Sequence, residues 1–375
     1  MRYEVTNWIE GHYAALDRFD RKAGHRCFDH TVAALTAGNV EVLKSGMGKS
    51  SVGGIEMPSN RMGVNYAINA PTGHLAQGLI DVLFARRPKR NQRLAKDMRM
   101  RLERLLALPD EGGWHALTIM GRQLSGLYII DRDWTRTVLL PQFDPTSERA
   151  EAAWSGFLWA ARLAHPALFV DMMPHFLQAI ATTNRWTGDG ISHLGQHLVL
   201  ALGAPTRRKT LLTFEEGRVA LRAASEAVRL EALQFLPSRA PTKDGWDKLI
   251  VPFFRDAWPR EQEFQTAETT RTLVRFVAGL GERFPAAVSL VADFLVPSSD
   301  TSMLVFQFSS DRDSGYADLT ARYPLDTLFL LSKIIDDAGE RAPYGLAEVL
   351  SRLAVAAPEL RHDERWQRLH RRTLS

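Results

Sequence analysis

"LKSGMGKSSVGG", Leu43 to Gly54, is the stretch on which the fold class turns. Its Gly48-Lys49-Ser50 ends like a phosphate-binding P-loop, and a true P-loop would place this chain among the α/β proteins. That motif needs a glycine five positions before Gly48, a buried strand ahead of it and a helix behind it. The first glycine makes the tight turn, and the backbone N–H groups of the loop then wrap the phosphates. Leu43 stands where the turn glycine belongs. The run before it, "AGNVEVLK", is short and too polar for a parallel-sheet core. The run after it, "VGGIEMPSNRMG", carries three glycines and a proline and cannot start a helix. The stretch therefore reads as a surface loop, and the α/β assignment has no other support.

Beyond residue 70 the apolar residues recur at spacings of three and four, as on one face of a helix. Leu94, Met98, Leu102 and Leu105 form one stripe; Leu117, Met120, Leu124 and Leu127 form a second. Leu273, Val277, Leu280 and Phe284 form a third, and Leu328, Leu331 and Ile335 a fourth. Period-two alternation is scarce, and "LVFQFSS" from Leu304 is the one run that suggests a strand. Pro166, Pro285, Pro324 and Pro343 each stand ahead of an apolar stripe, where a first helical turn accepts proline because its N–H needs no partner. Pro174, inside the first of these, predicts a kink.

Unit lengths near 20 and 40 residues fit stacked helix pairs. The expected fold is all-α, an irregular α-solenoid of HEAT-like hairpins in which neighbours bury what one hairpin leaves exposed. The tryptophans, spread along the chain, are expected to pack between helices. Residues 1–37 predict a pair of helices that packs separately, 38–65 a glycine-rich loop or linker, and 66–375 the repeat domain.

The chain has 375 residues, 45% of them hydrophobic, which fits a globular protein. Cys27 is the single cysteine, so no intrachain disulfide can form, as suits a reducing cytoplasm. The charged N-terminus is not that of a signal peptide, and no apolar run is long enough to span a membrane.

Charge is unevenly placed. Nine basic residues lie between Arg86 and Arg104 against Asp97 and Glu103, +7 in a chain whose net charge is +4. Placed outside an inward-facing apolar stripe, such a face attracts phosphate backbones or an acidic protein. Arg86, Arg87, Lys89, Arg90, Arg93, Lys96 and Arg101 are the candidate binding residues, and "TRRKT" from Thr206 and "RLHRR" from Arg368 are possible extensions of the patch.

Catalytic signatures are weak. "HRCFDH" sets His25, Cys27, Asp29 and His30 close together, but a structural zinc site draws on a second such pair, which the chain lacks. "HLGQH" puts His193 and His197 on one helix face, yet Leu194 replaces the glutamate a zinc protease needs. No Gly-x-Ser-x-Gly elbow or dinucleotide-binding glycine pattern occurs. No catalytic residue, metal or cofactor is expected. The alternative is a metal-dependent or other hydrolase whose site is assembled from distant residues, with His25, His193 and His197 as first suspects.

Two strings carry a family resemblance: "NYAINAPTGHLAQGLIDVLF", Asn65 to Phe84, and "LSGLYIIDRDWTRTVLLPQFDPTSERAEAAWSGFLW", Leu124 to Trp159. They resemble the helical C-terminal region of large bacterial proteins whose front end is a sirtuin-like, NAD-consuming domain, several of them in anti-phage defence systems. The resemblance spans roughly residues 65 to 340. It implies a sensing or scaffolding part, with the effector lost or supplied by another protein, because the 64 residues ahead of the first string are too few for a sirtuin-like domain and carry none of its motifs. It offers no catalytic residue here. In the second string Trp134 is expected to pack at a helix start that Asp133 caps, beside Asp131 and Arg136.

Overall fold

The computed structural model describes residues 2–38, 40–47, 51–52, 55–56, 61–160, 164–182, 186, 190–204, 211–298, 301–309, 316–336 and 342–374. The fold is all-α. The only sheet among the described residues is an antiparallel hairpin of β1 (Ser51–Val52) and β2 (Ile55–Glu56). Gly48, Lys49 and Ser50 lie outside the described residues. Leu43 ends a 3₁₀ turn and is buried.

The chain divides into two compact units, the boundary falling within a helix near His197. The first contains α1 (Arg2–Phe19), α2 (Arg21–Thr36), α3 (Val64–Ala67), α4 (Pro71–Ala85), α5 (Lys96–Leu106), α6 (Asp110–Arg122), α7 (Leu124–Ile130), α8 (Arg132–Trp134), α9 (Ala150–Trp159) and α10 (Pro166–Thr182). Asp20 starts α2 by accepting a hydrogen bond from the backbone of Ala23. The apolar helix α4 is buried nearly all round, with α1, α5 and α6 packed on it.

The two N-terminal helices do not stand apart as expected. α1 lies along α4, and side chains of α1 and α2 are ion-paired to Arg86 and to α5. The segment over 38–65 is likewise tied down where it is described. Gly46 donates to the Asn69 carbonyl, and Arg61 makes a two-pronged pair with Glu111 of α6, at 2.6 and 2.9 Å.

Where α6 crosses α9, the backbones touch. A β-carbon on Gly121 would lie 2.6 Å from the Ala153 carbonyl oxygen, and one on Gly156 1.9 Å from that of Thr118. Both glycines are required by that approach.

The second unit contains helices over Phe214–Ala223, Glu226–Phe235, Ala267–Ala278, Phe284–Val291, Ser302–Ser309, Ala317–Arg322, Pro324–Ile334, Leu346–Ala356 and Glu364–Arg372. Its core includes a cluster of Phe253, Phe254, Trp258, Phe276 and Phe294. The run from Leu304 is a helix and not a strand: Leu304, Val305 and Phe308 turn inward at helical spacing. Alternation in so short an apolar run fits either period, and packing chose the helix.

Pro166, Pro285 and Pro324 stand in first turns as expected, but Pro343 precedes its helix, which Gly345 caps at φ +83°. α10 continues through Pro174. Trp134, Trp154 and Trp258 are buried, whereas Trp8 and Trp159 are about half exposed.

Candidate functional site

The basic stretch splits into two populations. Arg86, which closes α4, donates to both carboxylate oxygens of Asp17 on α1, at 2.9 and 2.6 Å. Arg101 of α5 does the same to Asp29 of α2, at 3.1 and 2.6 Å, and donates to the Asp97 carbonyl. Arg101 is buried and Asp17 is 7% exposed. His25 completes the cluster, its Nε2 lying 3.3 Å from Asp97 and 3.8 Å from Asp17. Burial, and then the charge of Arg101, lowers the His25 pKa below the usual imidazole value. Burial works to raise Asp17, but the hydrogen bonds and charge of Arg86 outweigh it and hold that carboxyl below the ordinary range. Arg86 and Arg101 are thus struts between helices, which corrects their reading as members of an open basic face. An inward aspartate on α1 or α2 can be reached from α4 and α5 only when the four helices are assembled.

Arg87, Lys89, Arg90, Arg93 and Lys96 are exposed. Among the described residues only Arg93 of these five has an ion-pair partner, Asp133 at 3.7 Å, both side chains more than 70% exposed, which is worth little. All but Lys96, the first residue of α5, sit on the loop from α4 to α5, and its backbone is held in place. Asn91 and Arg93 donate to the carbonyls of Ile129 and Ile130 at the end of α7, which lack helical partners there. The backbone N–H of Leu94 donates to Asp131 Oδ2 at 2.9 Å. Asp131 is buried and uses its other oxygen to cap α8 through the Trp134 N–H, at 3.1 Å. The cap is therefore Asp131 and not Asp133, which is exposed.

Arg87, Asn91 and Arg93 all have positive φ, at 49°, 55° and 67°. That region is uncommon for side chains other than Asn or Asp, and a compact protein holds it only where surrounding bonds impose it.

Beside this loop lies a cavity of about 270 Å³, lined by Arg90, Asn91, Tyr128, Ile129, Arg132 and His165. Asp171 of α10 accepts from the Tyr128 hydroxyl and from Arg132, and lies 3.5 Å from Arg136. Burial and the neighbouring Asp171 push the Tyr128 phenol up to about 12. One carboxylate is shared by Arg132 and Arg136, so with Arg90 the mouth of the cavity has an excess of positive charge. Sequence reading missed Arg132 and Tyr128, which become neighbours of Arg90 only through the packing of α7 against the loop.

A second group was missed as well. His74, Gln77 and Asp81 repeat at three and four along the otherwise apolar α4, and this polar stripe on a buried helix is a signal legible in the sequence. With Glu10 of α1 and Arg122 of α6 they line a cavity of about 200 Å³.

The histidines suspected of hydrolysis are not brought together. His25 belongs to the cluster of α1, α2 and α5. His197 is buried, donates through Nδ1 to the His193 carbonyl at 3.0 Å, and packs against the Phe157 ring. Among the described residues no group of three or more His, Cys, Asp or Glu side chains is placed to hold a metal ion. "TRRKT" lies outside the described residues. Arg368 and Arg372 donate to the carbonyls of Ser332 and Asp336, so that end of the chain uses two of its arginines to hold a helix in place.

No family model and no solved structure matches the chain. It is similar to the uncharacterized protein y4cA of Sinorhizobium fredii (strain NBRC 101917 / NGR234), with 20% identity over 314 residues. The match covers 80% of this chain and 25% of that protein, so the chain spans about a quarter of the length of the curated relative it matches.

Proposed function

We propose that this protein is a non-catalytic recognition or scaffold module whose α4–α5 loop takes the phosphate backbone of a nucleic acid. The observation that supports it most is a loop of exposed, nearly unpaired cations held in a strained backbone beside the arginine-lined cavity of Arg90 and Arg132. With the backbone already held, only side-chain freedom is lost on meeting a run of phosphates, and the cations gain by releasing counterions. Arg86 and Arg101, engaged as struts between helices, are not part of this binding surface. A role in the bacterial cytoplasm, as the sensing part of an anti-phage defence system, remains part of this reading. It rests on the two helical strings, and on finding a similar segment within a far longer bacterial protein. No described helix is long and apolar enough to cross a membrane.

The test is titration of fluorescent single- and double-stranded oligonucleotides at several salt concentrations, with the wild-type chain and with the variant Lys89→Glu, Arg90→Glu, Arg93→Glu, Lys96→Glu. Each phosphate neutralised contributes about −0.9 to the slope of log K against log salt on duplex DNA, and about −0.7 on single strands. A steep negative slope that flattens in the variant is the expected outcome. Salt-independent binding, or a variant that binds as the wild type does, rules the reading out. Binding to an acidic protein but to neither oligonucleotide would move the site from nucleic acid to protein recognition.

A further inference from the structure

The cavity between α1, α4 and α6 is separate from the basic loop and carries opposite charges on facing helices. Glu10 comes from α1, His74, Gln77 and Asp81 from α4, and Ile119 and Arg122 from α6. Arg122 is near enough for its charge to act on both carboxylates, yet among the described residues no ion pair joins it to either. All three line the cavity.

Among the described residues no cation other than Arg122 and the His74 ring comes near these carboxylates. Asp81 accepts from the Gln77 amide at 2.7 Å, a neutral donor. Glu10 lies 3.8 Å from His74 Nε2, but that nitrogen is 3.0 Å from the Ile68 carbonyl, which can only accept. Nε2 therefore carries the proton and donates it in a hydrogen bond to the Ile68 carbonyl, and burial lowers the pKa of the ring. Burial raises both carboxyls, and the charge of Asp81 raises Glu10 further. At the cavity, α1 and α4 cannot be drawn closer together. A β-carbon on Gly78 of α4 would already lie 3.3 Å from the Glu10 Cα, so the backbones of α1 and α4 are in contact beside it.

We infer that this cavity binds a small zwitterion, with a primary ammonium against Glu10 and Asp81 and a carboxylate against Arg122. An ammonium supplies three donors to a site that offers acceptors, and a carboxylate takes the forked donors of an arginine. At about 30 Å³ per water-sized group, 200 Å³ is room for roughly six or seven such groups, enough for a short amino acid.

The experiment uses the full chain and four probes: L-alanine, 4-aminobutyrate, propylammonium and propionate. Binding is read by thermal shift and by saturation-transfer NMR. The expected result is saturable stabilisation by at least one zwitterion, with each singly charged probe at least about tenfold weaker, or about 1.4 kcal/mol. Asp81→Asn removes the advantage of alanine over propionate, and Arg122→Gln its advantage over propylammonium. No saturable binding of either zwitterion up to about 10 mM overturns the inference. So does equal binding of the zwitterions and the singly charged probes. The wild-type comparison decides by itself if a variant fails to fold.

Discussion

Arg86 and Arg87 are adjacent and chemically identical, but they do different work. Arg86 is fixed on the buried Asp17, whereas Arg87 points to solvent in a left-handed backbone. Removing one partner of a buried pair leaves the other charge stranded, at a cost on the order of 3 kcal/mol. Asp17→Asn is therefore expected to lower stability by about that amount, read from the urea midpoint. Arg87→Glu, an exposed change, is expected to stay within about 0.5 kcal/mol. Equal effects of the two substitutions would mean that Asp17 and Arg86 are not coupled. The same contrast bears on the binding test. Reversing Arg86 or Arg101 would unfold the helix pairs and imitate a loss of binding, so only the solvent-facing cations belong in the variant.

At the scale of elements, the crossing of α6 over α9 sets backbone directly against backbone. Gly156 faces the Thr118 carbonyl with no room for a methyl group, and Gly121 faces that of Ala153. Backbone on both sides cannot move aside as a side-chain tip would. Gly156→Ala is expected to cost roughly 3 kcal/mol, the upper end for overpacking, even though alanine is the better helix former by about 1 kcal/mol. A thermal midpoint unchanged or raised in Gly156→Ala would show that the helices can part without penalty. The α4–α5 loop is the opposite kind of element. It has little apolar burial beyond Leu94 and depends on the carbonyls of Ile129 and Ile130 and on the two oxygens of Asp131.

For the whole molecule, buried titratable groups tie stability to pH. His25, His74 and His115 all have pKa values lowered from 6.5, burial being the first cause in each case. In acid the unfolded chain takes up those protons before the folded one does, so stability falls as pH drops through about 6.5. One proton of difference is worth about 1.4 kcal/mol per pH unit. Glu10 and Asp81 act in the other sense: the folded chain keeps their protons to higher pH, so stability falls as pH rises above their ordinary values of 4.5 and 3.8. Asp17, held low by Arg86, contributes stability above its ordinary 3.8 that is lost as pH falls through its lower folded value. Urea unfolding at pH 7.5 and 5.5 is expected to show the more acidic sample as the weaker, with a further loss below about pH 4. A rise in stability between 7.5 and 5.5 would mean that the buried carboxyls outweigh the histidines.

The sequence by itself determined the helical class, three proline-marked helix starts and the basic stretch. These depend on residues three or four apart, on a proline or capping side chain, and on composition, all of which act within one or two turns. It also determined that Leu43 breaks the P-loop pattern. Tertiary packing decided which cations are open to a partner, because Asp17 and Asp29 lie about 70 residues from the arginines they hold. It chose Asp131 over Asp133 as the cap, since only the buried aspartate also meets the Leu94 N–H. And it set Glu10, Asp81 and Arg122 around one cavity, an arrangement no local spacing contains, because facing charges on three helices become neighbours only when apolar burial has drawn those helices together.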